Sequence, residues 1–190
     1  NDDSGWSLDL SSDGSVVAIG APYNNGNGGD RRGHVRIYQN IGSTWTQIGS
    51  DINGEADDDG LGSFVSLSDD GSVVAISAPG TYGNRSDSGH VRIYRNNNGT
   101  WTQIGDDIDT ASHYRIFSGN TLALSSDGSV VAIVAPHLYK RESDQVRIYQ
   151  NDGGTWTQIG SDIYGESVFD NSGSSVSLSA DGSVVAIGAP

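Results

Sequence analysis

The sequence contains no cysteine and no methionine. Lack of cysteine excludes disulfides, thiolate metal sites and thiol nucleophiles. Basic residues are scarce: 10 Lys and Arg stand against 24 Asp and Glu, for a net charge of −14. That balance argues against wrapping nucleic acid, because phosphate binding needs a basic face. No run approaches the roughly 18 apolar residues of a membrane-spanning helix. No charged-then-apolar leader opens the sequence, so any signal peptide is expected to be already removed or never present. No G-x-S-x-G, H-E-x-x-H or phosphate-loop pattern occurs, so the common short signatures of hydrolases, zinc peptidases and nucleotide binders are missing.

What is present is repetition. The string DGSVVAI occurs four times, with its aspartate at Asp13, Asp70, Asp127 and Asp181, at spacings of 57, 57 and 54 residues. VRIY starts at Val35, Val91 and Val146, and TWTQIG surrounds Trp45, Trp101 and Trp156. Three whole units and the first third of a fourth fill the 190 residues. Fixed-period repetition of this kind is the mark of a repeat architecture.

Each unit carries four strand signals, A to D, and no helix signal. Strand A is short, as in Val65–Ser68. An Asp-Gly pair follows and is expected to form a two-residue hairpin with positive φ at both positions. Strand B, Val73–Ile76 in the second unit, is apolar on both faces and is stopped by Pro79. Strand C alternates: Val91 and Ile93 share one face, Arg92 and Tyr94 the other. A Gly/Asn turn leads to strand D around Trp101–Ile104. Four antiparallel strands, with the inner ones covered on both sides, predict a β-propeller blade. The expected blades are about 5–54, 62–108, 119–163 and a partial one over 173–190.

The same residues carry a family resemblance. Strand B ends as Gly20-Ala21-Pro22, Ser77-Ala78-Pro79, Val134-Ala135-Pro136 and Gly188-Ala189-Pro190. With the preceding glycine, this resembles the FG-GAP repeat family, whose best-known members are the integrin α-subunit propellers. The TWTQIG segment is similar to a variant in large microbial and algal surface proteins. Where that family has phenylalanine before the glycine, this chain has Ser4, Leu61, Ser118 and Ser172. The family's calcium loop between strands A and B is replaced here by the Asp-Gly hairpin. The resemblance implies a seven-bladed propeller used for extracellular binding.

Strand alternation sends the B→C and D→A loops to one face of the disc. These are the long, variable segments, and variable insertions on one face are the usual binding surface of a repeat protein. The B→C loops hold Tyr23, Arg31, Arg32, Tyr82, Arg85, Tyr139, Lys140 and Arg141. Arg and Tyr together stack on sugar rings and grip carboxylate or sulfate. A glycan or acidic polymer is the expected ligand class; the alternative is that these arginines pair with local aspartates. The D→A loop from Glu55 to Gly60 places Glu55, Asp57 and Asp59 at the first, third and fifth positions of a calcium-loop pattern. Position twelve is Ser66 rather than a bidentate glutamate, and the preferred alternative is that Asp59, like Asp2 and Asp170, caps a turn. No cofactor is required by the sequence, and calcium is the single metal it suggests.

Residues that recur in every unit are read as architectural: Arg36, Arg92, Arg147, the tyrosines of VRIY, and the tryptophans of TWTQIG, which are expected between outer strands. His34 and His90 share a position that is Gln145 in the third unit. Asn84-Arg85-Ser86 and Asn98-Gly99-Thr100 make Asn84 and Asn98 candidate glycosylation sites.

The expected function is a non-catalytic binding or adhesion module outside the cell. The alternative is a structural unit of a ring, filament or coat. A glycan-active enzyme is the third reading. About 3.3 units of 57 residues fall short of the 4–8 blades that close a propeller. Another copy, or the rest of a longer chain, is therefore expected to complete it.

Overall fold

The computed structural model describes residues 2–25, 29–80, 89–109, 121–135, 143–168 and 170–190. The described residues form 16 strands in four antiparallel sheets and contain no helix. Blade 1 comprises β1 (Ser7–Leu10), β2 (Val16–Ala21), β3 (His34–Ile41), β4 (Thr44–Gln47) and β5 (Ile52–Asn53). Blade 2 comprises β6 (Val65–Leu67), β7 (Val73–Ala78), β8 (His90–Asn97) and β9 (Thr100–Gln103). Blade 3 comprises β10 (Thr121–Leu124), β11 (Val130–Ala135), β12 (Gln145–Asp152), β13 (Thr155–Gln158) and β14 (Ile163–Tyr164). The partial blade 4 is the hairpin of β15 (Ser175–Leu178) and β16 (Val185–Gly188). Strands pair in chain order within each blade, with β5 and β14 continuing the outer strand on β3 and β12.

The core lies between blades. Val16, Ala18, Val35 and Ile37 of blade 1 pack with Leu67, Val74, Ile76 and Ala78 of blade 2. Val73, Ala75, Val91 and Ile93 of blade 2 pack with Leu122, Leu124, Val131 and Ile133 of blade 3. Ala132, Val134 and Val146 then meet Val176, Leu178, Val185 and Ile187 of blade 4. The two-faced apolar pattern of strand B follows from this. β7 and β11 have a blade on each side and are buried throughout, whereas β2 and β16 have one neighbour and are partly open. Each fully covered Val or Ile contributes about 1.5–3 kcal/mol.

The A→B turn differs from the expected two-residue hairpin. The last ladder pair of blade 1 is Leu10 with Val17, the Ser11 amide donates to the Val16 carbonyl, and the Gly14 amide donates to the Ser11 carbonyl. Gly14 has φ +69, but Asp13 is not left-handed. The loop is a four-residue turn that closes on a left-handed glycine. The aspartate is held by its own bonds: Asp13 Oδ1 accepts from the Ser15 amide and the Ser11 hydroxyl, both at 2.8 Å. The two-residue turn with both φ positive occurs instead between strands C and D. There Gly42-Ser43, Asn98-Gly99 and Gly153-Gly154 have φ of 58 and 69, 52 and 88, and 60 and 99.

Candidate functional site

The repeated polar residues are engaged with one another in every blade. Arg36, Arg92 and Arg147 on strand C each reach an aspartate on the outer strand: Asp51, Asp107 and Asp162, at 2.8, 2.7 and 2.9 Å. Gln47, Gln103 and Gln158 donate to the same three carboxylates at 2.7–2.8 Å. Asp51 lies between β4 and β5, next to Ile52, which pairs with Val35, and so falls beside Arg36. Bonding to Arg36 and to Arg92 holds the Asp51 and Asp107 carboxyls below the usual carboxylate range. Burial pulls Arg92 down, but its bonds to Asp107 outweigh this and it keeps its proton more firmly than usual. The tryptophans lock one blade to the next. Trp101 Nε1 donates to the Ile48 carbonyl, and Trp156 Nε1 to the Ile104 carbonyl, both at 2.9 Å. Trp45 has no preceding blade in the structure and is 46% exposed.

Among the described residues, the first B→C loop and the first D→A loop meet. Arg31 Nη2 pairs with Asp58 Oδ1 at 2.6 Å, and Arg32 Nε with Asp57 Oδ1 at 2.8 Å. A bridge between Gly33 and Leu61 joins the same two loops through the backbone. The arginines of the first loop thus pair with nearby aspartates, and the Arg32 bond lowers the Asp57 carboxyl. Glu55, Asp57 and Asp59 turn to three different partners. Glu55 crosses to Arg92 of blade 2 at 2.9 Å, Asp57 holds Arg32, and Asp59 Oδ2 accepts the Glu55 and Ala56 amides at 2.8 and 2.9 Å. Asp59 is the turn cap. Asp170 repeats the device, accepting the Ser167 and Ser172 amides. Among the described residues no group of three or more His, Asp or Glu is arranged to hold a metal ion. Asn98 is exposed at its turn on the opposite face. Tyr82, Arg85, Tyr139, Lys140, Arg141 and Asn84 lie outside the described residues.

Two further features stand on the described part of the loop face. A crevice of about 330 Å³ opens between blades 1 and 2, lined by Glu55, Asp59, His90, Arg92, Asp107 and Asp109 among others. Arg92 forms its buried floor, and the His90 Nε2 atom is buried without a hydrogen-bond partner. The other feature is Trp6, 57% exposed, whose ring meets Tyr23 edge to face at 5.6 Å. Edge-to-face packing of this kind is a favoured aromatic geometry, and most of the Trp6 side chain remains open to solvent. The sequence reading passed over Trp6, yet the signal was there. It is the one tryptophan of four outside TWTQIG, and its repeat position holds Ser63 and Ser174 in blades 2 and 4.

The fold and this loop face define the class: the chain is three and a half blades of a β-propeller. Its backbone is similar to hydrazine synthase of Kuenenia stuttgartiensis, with TM-score 0.58, 16% identity, and coverage of 96% of this chain and 49% of that one. It is also similar to a proposed 6-phosphogluconolactonase of Bacteroides fragilis, at TM-score 0.54 and 20% identity over 83% of this chain and 38% of that one. TolB of Acinetobacter baumannii aligns at TM-score 0.52 and 15% identity, covering 95% of this chain and 36% of that one. The chain therefore spans less than half the length of these structures. No protein-family description matches the sequence, and no curated protein does. Among the described residues no helix is long and apolar enough to cross a membrane.

Proposed function

We propose that this chain is a non-catalytic binding module that works outside the cell, with a glycan as ligand on the face made by the B→C and D→A loops. The supporting observation is a division of labour. The polar and aromatic residues common to the blades are spent on the Arg–Asp–Gln clusters and the tryptophan locks. Side chains that vary between blades lie at the loop face: Trp6, which packs on Tyr23, and Asp109, which lines the crevice with His90 and Arg92. Aromatic rings with adjacent Arg, His and carboxylate groups suit the mixed apolar and hydroxyl surface of a sugar. The FG-GAP resemblance adds to the same reading. Similarity to a proposed lactonase at 20% identity extends to the fold and not to a reaction.

The test is retention on a glycan array and its loss on substitution. Trp6→Ala, and separately Arg31→Ala with Arg32→Ala, are expected to weaken binding of whichever glycan the parent chain retains. A parent chain that retains no glycan, or variants that bind like the parent, would overturn the proposal. Calcium is tested alongside by thermal unfolding with and without the ion. The bonds already occupying Asp57 and Asp59 favour no shift.

A further inference from the structure

The crevice between blades 1 and 2 has walls set by backbone bonds. The Gly80 amide donates to the Asp59 carbonyl at 3.1 Å, which ties the first D→A turn to the segment after β7. The Gly54 amide donates to the Gly33 carbonyl at 3.0 Å and ties the same turn to blade 1. Within blade 2, Val91 and Ile108 exchange backbone bonds at 3.1 and 2.9 Å, which sets His90 across from Asp109. The turn does not depend on the Glu55 side chain. Asp59 Oδ2 holds it through the Glu55 and Ala56 amides. At about 330 Å³ the crevice falls within the range of small-ligand sites, about 300–1,000 Å³.

Arg92, on the floor, is shared by two carboxylates of unequal standing. Asp107 takes the edge of the guanidinium: Nε donates to Oδ1 at 2.8 Å and Nη2 to Oδ2 at 2.7 Å. Glu55 Oε2 reaches Nη2 at 2.9 Å from the turn of the neighbouring blade. The Arg92 side chain is 5% exposed, Asp107 32% and Glu55 72%. Gln103 secures Asp107 from its own strand. Glu55 keeps most of its side chain in water, and an ion pair with so exposed a member is weak and opens readily. Two more groups line the same crevice. His90 Nε2 is buried and has no hydrogen-bond partner among the described residues. Asp109 stands across from it, and burial raises its carboxyl.

From this arrangement we infer that the crevice takes an acidic sugar, whose carboxylate replaces Glu55 on Arg92. The inference rests on the glycan reading above and names the class of glycan. One carboxylate is exchanged for another, so the buried guanidinium is never left with a missing partner. Glu55 swings fully into the water that already surrounds it. The ligand carboxylate gains a charge-assisted bond at a floor where the guanidinium is fixed in place by Asp107. Hydroxyls beside that carboxylate meet His90 Nε2 and the Asp109 oxygens, which offer a nitrogen that donates or accepts and an acceptor. A neutral sugar can make the hydroxyl contacts but has nothing to put in place of Glu55. Glu55 is thus a selectivity gate that an anionic sugar opens.

The test is titration calorimetry with oligomers of galacturonate, glucuronate and mannuronate, each as the acid and as the methyl ester. At least one acid is expected to bind about tenfold more tightly than its ester. Glu55→Gln removes the competing charge and should tighten that acid by about two- to fivefold while leaving the ester unchanged. Glu55→Ala, which keeps the Asp59 cap, is the second variant, and thermal unfolding compares both with the parent. Acid and ester bound alike, a folded Glu55 variant that binds the acid no better than the parent, or no binding of any acid would each overturn the inference. A chain that retains neutral glycans and none of the acids overturns the gate and leaves the glycan reading standing. A chain that retains no glycan of either kind overturns both.

Discussion

The three strand-C arginines offer a graded test of what holds the blades. Each pairs with one aspartate that a glutamine also holds, and their exposure differs: the Arg92 side chain is 5% exposed, Arg147 18% and Arg36 43%. Replacement of each by Met keeps the apolar stem and removes the charge. Arg92→Met leaves Asp107 with Gln103 as its remaining side-chain donor and releases Glu55, which is itself 72% exposed and returns to water. Breaking one side of a buried pair costs about 3–5 kcal/mol. Asp107 is 32% exposed, which places the loss near the lower end, about 3 kcal/mol. Arg36→Met breaks a solvent-exposed pair and should cost under about 1 kcal/mol. Arg147→Met should fall between, at about 1–2 kcal/mol. Urea denaturation at neutral pH reads all three as shifts of midpoint at constant slope. Asp107→Asn in the Arg92→Met background should recover part of the loss by removing the stranded carboxylate. Three equal losses, or a largest loss at Arg36, would refute the argument that burial sets the value of each cluster.

Trp101→Phe and Trp156→Phe should each cost about 1 kcal/mol in urea denaturation, because each leaves a carbonyl of the preceding blade without its donor. Asp127→Ala should cost about 1 kcal/mol, because its carboxylate holds the turn through the Ser125 hydroxyl and the Ser129 amide and hydroxyl. Stability should also fall in acid. Asp51, Asp70, Asp107 and Asp127 all titrate below their ordinary value, and Asp181 is pulled down to about 2 by the Ser179 and Ser183 hydroxyls and the Ser183 amide. A depressed carboxyl gives stability that is present above its unfolded pKa, near about 4, and lost as pH falls through the folded one. Burial depresses His34 as well, so an earlier, smaller loss should begin below about 6.5. Thermal unfolding midpoints from pH 7 to pH 2 check both phases, and a flat profile down to pH 3 would contradict them.

The blades were legible because packing on both sides leaves a direct imprint on sequence. Strand B must be apolar at every position, and strand C at every second one, so VVAI and VRIY state their own burial. The A→B turn was misread because Asp-Gly alone points to a two-residue hairpin. The serines on either side of the pair change the outcome: they bond the aspartate and hold it out of the left-handed region, leaving that to glycine. The partners of Arg31 and Arg32 were foreseen only as a class. Asp57 and Asp58 lie 25 to 27 residues away, and the loops that bring them together have no periodicity to read. Trp6 was legible by comparing repeats, since the residue after the same glycine is Ser63, Asn120 and Ser174 in the later blades.

That comparison separates folding from function and can be pressed to an experiment. At the loop-face end of strand C the three blades carry His34, His90 and Gln145. At the matching end of the outer strand they carry Asn53, Asp109 and Tyr164, paired to strand C at the same register in blades 1 and 3. Positions that accept His or Gln on one strand, and Asn, Asp or Tyr on the other, are not dictated by the backbone they share. Blade 2 alone brings a histidine and an aspartate together there, over the Arg92 floor of the crevice. His90→Gln with Asp109→Tyr gives blade 2 the residues of blade 3. If the fold is indifferent to them, stability should stay within about 1 kcal/mol of the parent. If the crevice is the ligand seat, glycan retention should fall in the same protein. Stability lost together with binding would make the pair architectural, and binding retained would move the seat to Trp6 and Tyr23. Either outcome is read from two measurements on one variant, because the repeat supplies its own folded control.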